Sequence, residues 1–327
     1  MKFHDVTHKS QSLTASRPSN RLGIWLVLGL TAAVATAMPR TAAAAACCIS
    51  ATSFGVGRLL MWEDFAAGLQ IGHARIYGQW DSNGHLRRNP PGYYEGVSQA
   101  LPWAIVRLHE RLELQGWAPI LINDRWSNQD RQLAGGLGDI GTALRFQVLA
   151  IGEIEHLPSL AVTAGGTAPT GRRVEQTSPP LFAGTTGRGA FGGSLAIESE
   201  YAFLPWFVRV EGGVTEYAPF ERTDIMQSQK YGRSWRAALS AGREVIADKV
   251  VAALALLGEW EAQLRLNGAS VPDSQSHLYS LAASLSWRAN PHLTLVSTIG
   301  NSIWPNGFGK NLDARLGVTV GVRYGYF

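Results

Sequence analysis

The final sixteen residues, 312–327, alternate along almost their whole length. Leu312, Ala314, Leu316, Val318, Val320, Val322, Tyr324 and Tyr326 fall on one face, and Asp313, Arg315, Gly317, Thr319, Gly321, Arg323 and Gly325 on the other, with Phe327 at the end. A period of two over that length is a strand, about three times the usual five or six residues. One face is continuously apolar and ends in aromatics, while the other is polar or small. A strand in a soluble sandwich would be shorter and interrupted by turns, whereas a strand that crosses a bilayer turns an apolar side to lipid and a polar side to a lumen. The segment predicts a transmembrane β-strand.

The opposite end of the chain points to export. Arg17 and Arg21 precede an apolar run from Leu22 to Ala37, followed by Pro39 and the small residues Ala42 to Ala46. That is the layout of a secretory signal cleaved after Ala46, and the run is short for a span of about 20 residues. Residues 1–46 are therefore expected to be a signal peptide, 47–66 an N-terminal segment and 67–327 the barrel. Beyond Ala46 no stretch of eighteen apolar residues occurs, so no transmembrane helix is expected. The two cysteines, Cys47 and Cys48, adjoin the expected cleavage point. Adjacent cysteines meet disulfide geometry poorly. Lipidation of Cys47 and an ordinary N-terminal segment are the two readings, and the expected barrel has no cysteine for a disulfide framework or a zinc site.

Composition agrees with a barrel. Glycine is abundant, with 36 residues in 327, tryptophan reaches 11, and after Lys9 the only lysines are Lys230, Lys249 and Lys310. Lipid-facing and lumen-facing residues cancel in an average, which explains a mean hydropathy of -0.02. The formal charge of +4 includes the leader, and no basic cluster accompanies it, so nucleic acid is not an expected partner.

Period-two runs place strands near 67–80, 98–108, 112–121, 137–149, 158–168, 189–201, 206–218, 233–246, 250–264, 277–288, 293–304 and 312–327. The fold class is thus all-β, a transmembrane antiparallel β-barrel of about twelve strands, with ten or fourteen as alternatives. Connections alternate between short ones, such as 109–111 and 202–205, and long ones, at 81–97, 122–136, 169–188, 219–232 and 265–276. Short periplasmic turns and long extracellular loops give outer-membrane barrels that asymmetry.

The segment Gly135-Gly-Leu-Gly-Asp-Ile-Gly-Thr-Ala-Leu-Arg-Phe146, together with Pro169-Thr-Gly171, resembles the GxGD strand and PTG loop of the outer-membrane proteins named for the phenol-degradation meta pathway, often called transporters. His109-Glu-Arg-Leu-Glu-Leu114 is similar to a periplasmic turn of the same proteins. The resemblance covers roughly residues 98–171 and, more loosely, the last strand. It implies a monomeric barrel that passes or binds small molecules, hydrophobic ones among them. Two features depart from the pattern: Tyr324 and Tyr326 are out of phase with Phe327, and 47–64 has no counterpart.

Strand phase puts Arg107, Glu113, Asp139, Arg145, Glu198, Arg209, Glu211, Arg236, Glu259, Glu261, Arg315 and Arg323 on the lumen side, with Arg188, Glu200, Glu244, Arg288 and Asp313. Such charges form either cross-strand ion pairs that fill the barrel or a selectivity device. Asp139 has two readings, pairing an arginine or binding a substrate cation. Thr170 and Gly171 read as a turn in which glycine supplies positive φ. Trp103 and Trp117 either stack a substrate or pack the interior.

Barrel hydrolases need a base within hydrogen-bond reach of a hydroxyl. His277 and Ser280 fall on opposite faces, His73 has no near serine in the sequence, and no nucleophile elbow, metal-binding pair or phosphate loop occurs. The expected role is a channel or transporter in the outer membrane of a Gram-negative cell, with no catalytic, cofactor or metal residues. Its expected partners are outer-membrane lipid, the barrel assembly machinery and a small solute. The alternatives are a structural or adhesive barrel with recognition loops and, behind it, a barrel lipid hydrolase.

Overall fold

A computed structural model describes residues 57–128, 130–222, 224–303 and 306–327. The expected signal peptide and Cys47 lie outside the described residues. Twelve antiparallel strands run in chain order. They are β1 (Phe65–Trp80), β2 (Tyr94–His109), β3 in two pieces (Leu112–Trp117 and Ile120–Trp126), β4 in two pieces (Arg131–Leu137 and Ile140–Leu149), β5 (Ser159–Ala168) and β6 (Gly192–Phe203), then β7 (Trp206–Tyr217), β8 (Ser234–Ile246), β9 (Val250–Glu261), β10 (Ser276–Arg288), β11 (Leu293–Ser302) and β12 (Asp313–Tyr326).

Each strand pairs its sequence neighbours, and β1 pairs both β2, through Phe65↔Val106, and β12, through Phe65↔Tyr326, so the sheet closes on itself. Closure is what lets strands cross a membrane, since an open edge would strand backbone N–H and C=O groups in hydrocarbon. The strands are also steeply staggered. Following pairs sideways from Val106 leads through Leu114, Leu144, Ala164, Leu195, Val214 and Trp235 to Trp260. Val106 lies near the short-turn end, and Trp260 at the long-loop end of its strand. That shear accompanies the tilt of a closed barrel.

The outer surface is the reverse of a soluble protein's. Val318 and Val320 on β12, Leu281 and Leu285 on β10, and Leu254 on β9 are all exposed. Aromatics bracket this apolar belt. Trp206, Trp287, Tyr324, Tyr326 and Phe327 lie toward the short turns, and Trp235 and Trp260 toward the long loops, where Trp260 donates to the Tyr279 hydroxyl and meets its ring edge-on. Aromatic residues at two levels mark two membrane interfaces. The out-of-phase C-terminus is settled by His292, whose ring stacks on both Tyr324 and Phe327.

Two expectations about connections change. The region 122–136, expected as a loop, is mostly a hairpin built by the second piece of β3 and the first of β4, from Ile120↔Leu137 to Trp126↔Arg131. The breaks fall at Ala118-Pro119, where proline removes a ladder donor, and at Gly138-Asp139. Residues 94–97, also expected in a loop, belong to β2. Outside the barrel, Phe220–Arg222, Gln227–Lys230, Arg265–Leu266 and Ala269–Ser270 join two long loops into a four-stranded sheet.

Candidate functional site

Inward-facing positions on β3–β7 at the short-turn end carry the largest charges of the lumen. Arg145 on β4 bonds Glu198 on β6 and lies 3.5 Å from Glu113 on β3. Arg209 on β7 reaches Glu198 at 2.7 Å and Glu211 at 3.2 Å. Glu113, Arg145, Arg209 and Glu211 are each at most 5% exposed. These groups share partners across four strands. Charges taken out of water are tolerable only when each is met by opposite charge and hydrogen bonds.

The cluster is completed by residues that strand phase could not reveal. Before β1 begins, Arg58, Leu59, Leu60 and Glu63 pack into the short-turn end of the barrel, while Met61, Trp62 and Asp64 stay exposed. Arg58 pairs with Glu200 at 2.8 Å, and Gln115 donates to the Gly57 carbonyl. Glu63, fully buried, accepts from Arg323 on β12, while Arg107 on β2 donates to the carbonyls of Leu60 and Glu63. Leu59 packs with Ala66, Trp103, Ile105 and Trp117. The two tryptophans are thus part of a packed cluster. Glu244 lies at a short turn, where it accepts from the Asp248 amide.

At the long-loop end, Asp139 takes neither expected role. Its Oδ1 accepts from the Gly171 amide at 3.0 Å and its Oδ2 from the Arg188 amide at 2.8 Å. Thr170 completes the interlock, donating to the Gly138 carbonyl and accepting from the Ile140 amide. Gly171 does not supply positive φ. It is needed because a Cβ there would come within 2.6 Å of Gly187 and 3.0 Å of the Asp139 carboxylate. The two motifs behind the family resemblance are therefore one joint, which fastens loop 169–191 to the broken wall.

That loop lies against the inward face of the β3–β4 hairpin. Asn123 donates to the carbonyls of Ala183 and Thr185, and Arg125 to that of Leu181. Arg188 then makes a two-point bond to Glu261 on β9, at 2.8 and 2.7 Å, with Tyr217 and Tyr231 against its guanidinium. Burial pushes the Arg188 pKa down, but Glu261 and the two tyrosines outweigh it and hold it above the ordinary value.

The remaining side of the lumen is different in kind. Between the buried Leu278 near the long loops and Gln70 near the short turns, the inward positions include Ser280, Ala282, Ser284 and Ser286 on β10, Val296, Thr298 and Gly300 on β11, Gly317 and Thr319 on β12, and Gly72 and Ala74 on β1. All are small and partly exposed. Near its long-loop end stands a loose group in which Glu259 lies 3.9 Å from both Arg236 and Arg315, with all three side chains at least a third exposed. The twelve lumen candidates thus divide. Arg107, Glu113, Arg145, Glu198, Arg209, Glu211 and Arg323 join the packed end, Asp139 and Glu261 anchor a loop, and Arg236, Glu259 and Arg315 face open space.

One polar pair sits on the outer surface. His73 Nδ1 lies 3.0 Å from Ser98 Oγ, correcting the expectation that His73 has no near serine, and its Nε2 lies 3.4 Å from the Tyr94 hydroxyl. No carboxylate is hydrogen-bonded to His73 among the described residues. Nor do those residues hold a group of three or more potential metal ligands.

No protein-family profile matches the chain, and no curated protein matches it significantly. Among solved structures it is similar to an outer-membrane channel from Pseudomonas putida F1, with a TM-score of 0.68 and 13% identity, over 85% of this chain and 100% of that one. That likeness establishes a shared outer-membrane barrel fold. Looser matches include the β-domain of the Bordetella autotransporter BrkA, with a TM-score of 0.47 and 13% identity over 80% and 100% of the two chains. The monoaromatic hydrocarbon channel TodX matches at a TM-score of 0.40 and 10% identity, over 80% and 89%.

Proposed function

We propose that this protein is a monomeric outer-membrane channel that conducts small, weakly polar or apolar molecules along the small-residue wall of β10, β11, β12 and β1. The observation that carries the reading is that wall: its inward side chains are short, mostly uncharged and accessible, while the opposite side is filled. A twelve-stranded barrel lies between the eight-stranded barrels that side chains fill and the sixteen-stranded ones that hold an aqueous channel. A lumen filled on one side leaves a narrow, eccentric path. Lumen lining of this kind favours solutes with few hydrogen-bonding groups, because it offers few partners to replace a shell of water.

The channel role of the Pseudomonas putida F1 protein and the resemblance to the meta-pathway proteins support the same reading. Loop 169–191 and the Arg236–Glu259–Arg315 group form the entrance. Residues 57–64 narrow the periplasmic exit. The His73–Ser98 pair faces lipid, away from this path, so catalysis is not part of the proposal.

Solute entry into vesicles containing purified protein tests it. A small aromatic solute should enter faster than into protein-free vesicles, and a charged solute of equal size should not. If neither solute enters faster, the barrel is closed, and the ordered extracellular sheet becomes the place to seek a recognition role.

A further inference from the structure

We propose a lipid-binding site on the outer surface, where a cleft at the long-loop ends of β7 and β8 takes the phosphate of a phosphorylated glycolipid of the outer leaflet. The cleft, of about 410 Å³, lies between Glu216, residues 230–235 and residues 262–265. Three of its lining residues are cations, Lys230, Arg233 and Arg265, against the single carboxylate of Glu216. Glu216 holds Lys230 and Arg233 at 2.7 Å each. Arg265 forms no ion pair among the described residues.

The backbone forces these cations together. Lys230 and Arg265 are directly paired residues of the extracellular sheet. Like charges placed opposite each other on neighbouring strands destabilise the pairing, and a bound anion would remove that cost. Beside them Gly232 passes so close to Ala262 that a Cβ would lie 1.9 Å from the Ala262 carbonyl oxygen, so only glycine allows the two segments to approach. The floor of the cleft is thus backbone, and its walls are basic.

Its level identifies the ligand. Trp235 lines the cleft, faces lipid and is paired with Trp260, which bonds Tyr279. This is the aromatic belt at the long-loop interface, where headgroups of the outer leaflet begin. A phosphate there meets guanidinium forks suited to two-point recognition, while the indole of Trp235 offers a face to a sugar ring. A phosphorylated glucosamine lipid supplies both parts.

The experiment uses the full-length barrel in detergent, with bisphosphorylated lipid A as the probe and native mass spectrometry as the readout. Wild type should bind it about tenfold more tightly than the dephosphorylated lipid, and the double change Arg233→Gln with Arg265→Gln should erase that difference. The change Lys249→Gln, at the opposite end of the barrel, should leave it intact. Unheated gel mobility checks that each variant is folded. Equal binding of the two lipids, or unchanged preference in the double variant, overturns the proposal. Displacement of the lipid by millimolar inorganic phosphate would also overturn it, because the cleft would then be a site for free anions.

Discussion

On β3–β7 the inward positions near the short turns carry Glu113, Gln115, Arg145, Glu200, Arg209 and Glu211, all nearly inaccessible; along the middle of β10–β12 and β1 they carry mainly serine, threonine, alanine, valine and glycine that remain partly exposed, with the charged residues Arg323 and Arg315 of β12 confined to its two ends. Both sides obey the same alternation of lipid-facing and lumen-facing residues, so alternation decides only which way a side chain points. Side-chain volume decides whether that position fills the lumen or lines it. Charge follows volume here, because a buried carboxylate survives only beside a long cation that can reach it across a strand. The side that holds the charge is therefore the side that holds the shape.

The largest effect expected from this division is on stability. Arg145→Met removes the cation that Glu113 and Glu198 share, and should cost about 3 to 5 kcal/mol in urea unfolding from lipid vesicles. Ser284→Ala, on the open side, should stay within about 0.5 kcal/mol. If the two costs are similar, the sides are not different in kind.

A smaller cost separates neighbours on β12. Val320→Arg turns a cation into the lipid belt and should cost about 2 to 4 kcal/mol, while Thr319→Arg faces the open lumen and should cost much less in the same measurement. Equal penalties would reverse the facing of the whole strand.

Function should divide the other way. Ser284→Trp should lower solute entry about tenfold while leaving the unfolding midpoint in place, because pore width limits passage. Unchanged entry would move the path off this wall. Last and smallest, Glu259→Gln should shift the reversal potential toward anions, since a fixed carboxylate facing a narrow path attracts cations. Glu113→Gln, sealed among its partners, should not shift it.

Most strands were legible because they carry long runs of alternation, whereas those near 67–80, 98–108 and 293–304 are ambiguous in phase, and the observed ends differ from expectation mainly at the breaks. Those breaks were harder to read. Ile120, Leu137 and Ile140 continue the lipid-facing row on either side, so the pattern shows no interruption at Pro119 or Asp139. Partnerships were not legible at all. That Arg145 points inward follows from phase, but that it meets Glu198, 53 residues away, depends on register and shear across two strands. Asp139 was read as pairing an arginine or binding a cation and Gly171 as a positive-φ turn residue, whereas together they let two loops touch, a role that depends on contacts the sequence does not display. Glu63 and Arg58 precede the first strand and have no period to expose them.

The ring closes where β1 meets β12, and residues 58–63 sit across that junction, tied to Arg107 on one side and to Arg323 on the other, with Glu63 and Arg323 separated by 260 residues. A contact between the ends of the barrel's first and last strands forms only after the intervening hairpins are in place, so it does little to help the barrel begin to form. It can only act once the ring is complete. Interactions absent from the folding transition state slow unfolding and leave the folding rate nearly untouched. The inward-folded segment is thus a latch in time: it leaves the birth of the barrel alone and lengthens its life.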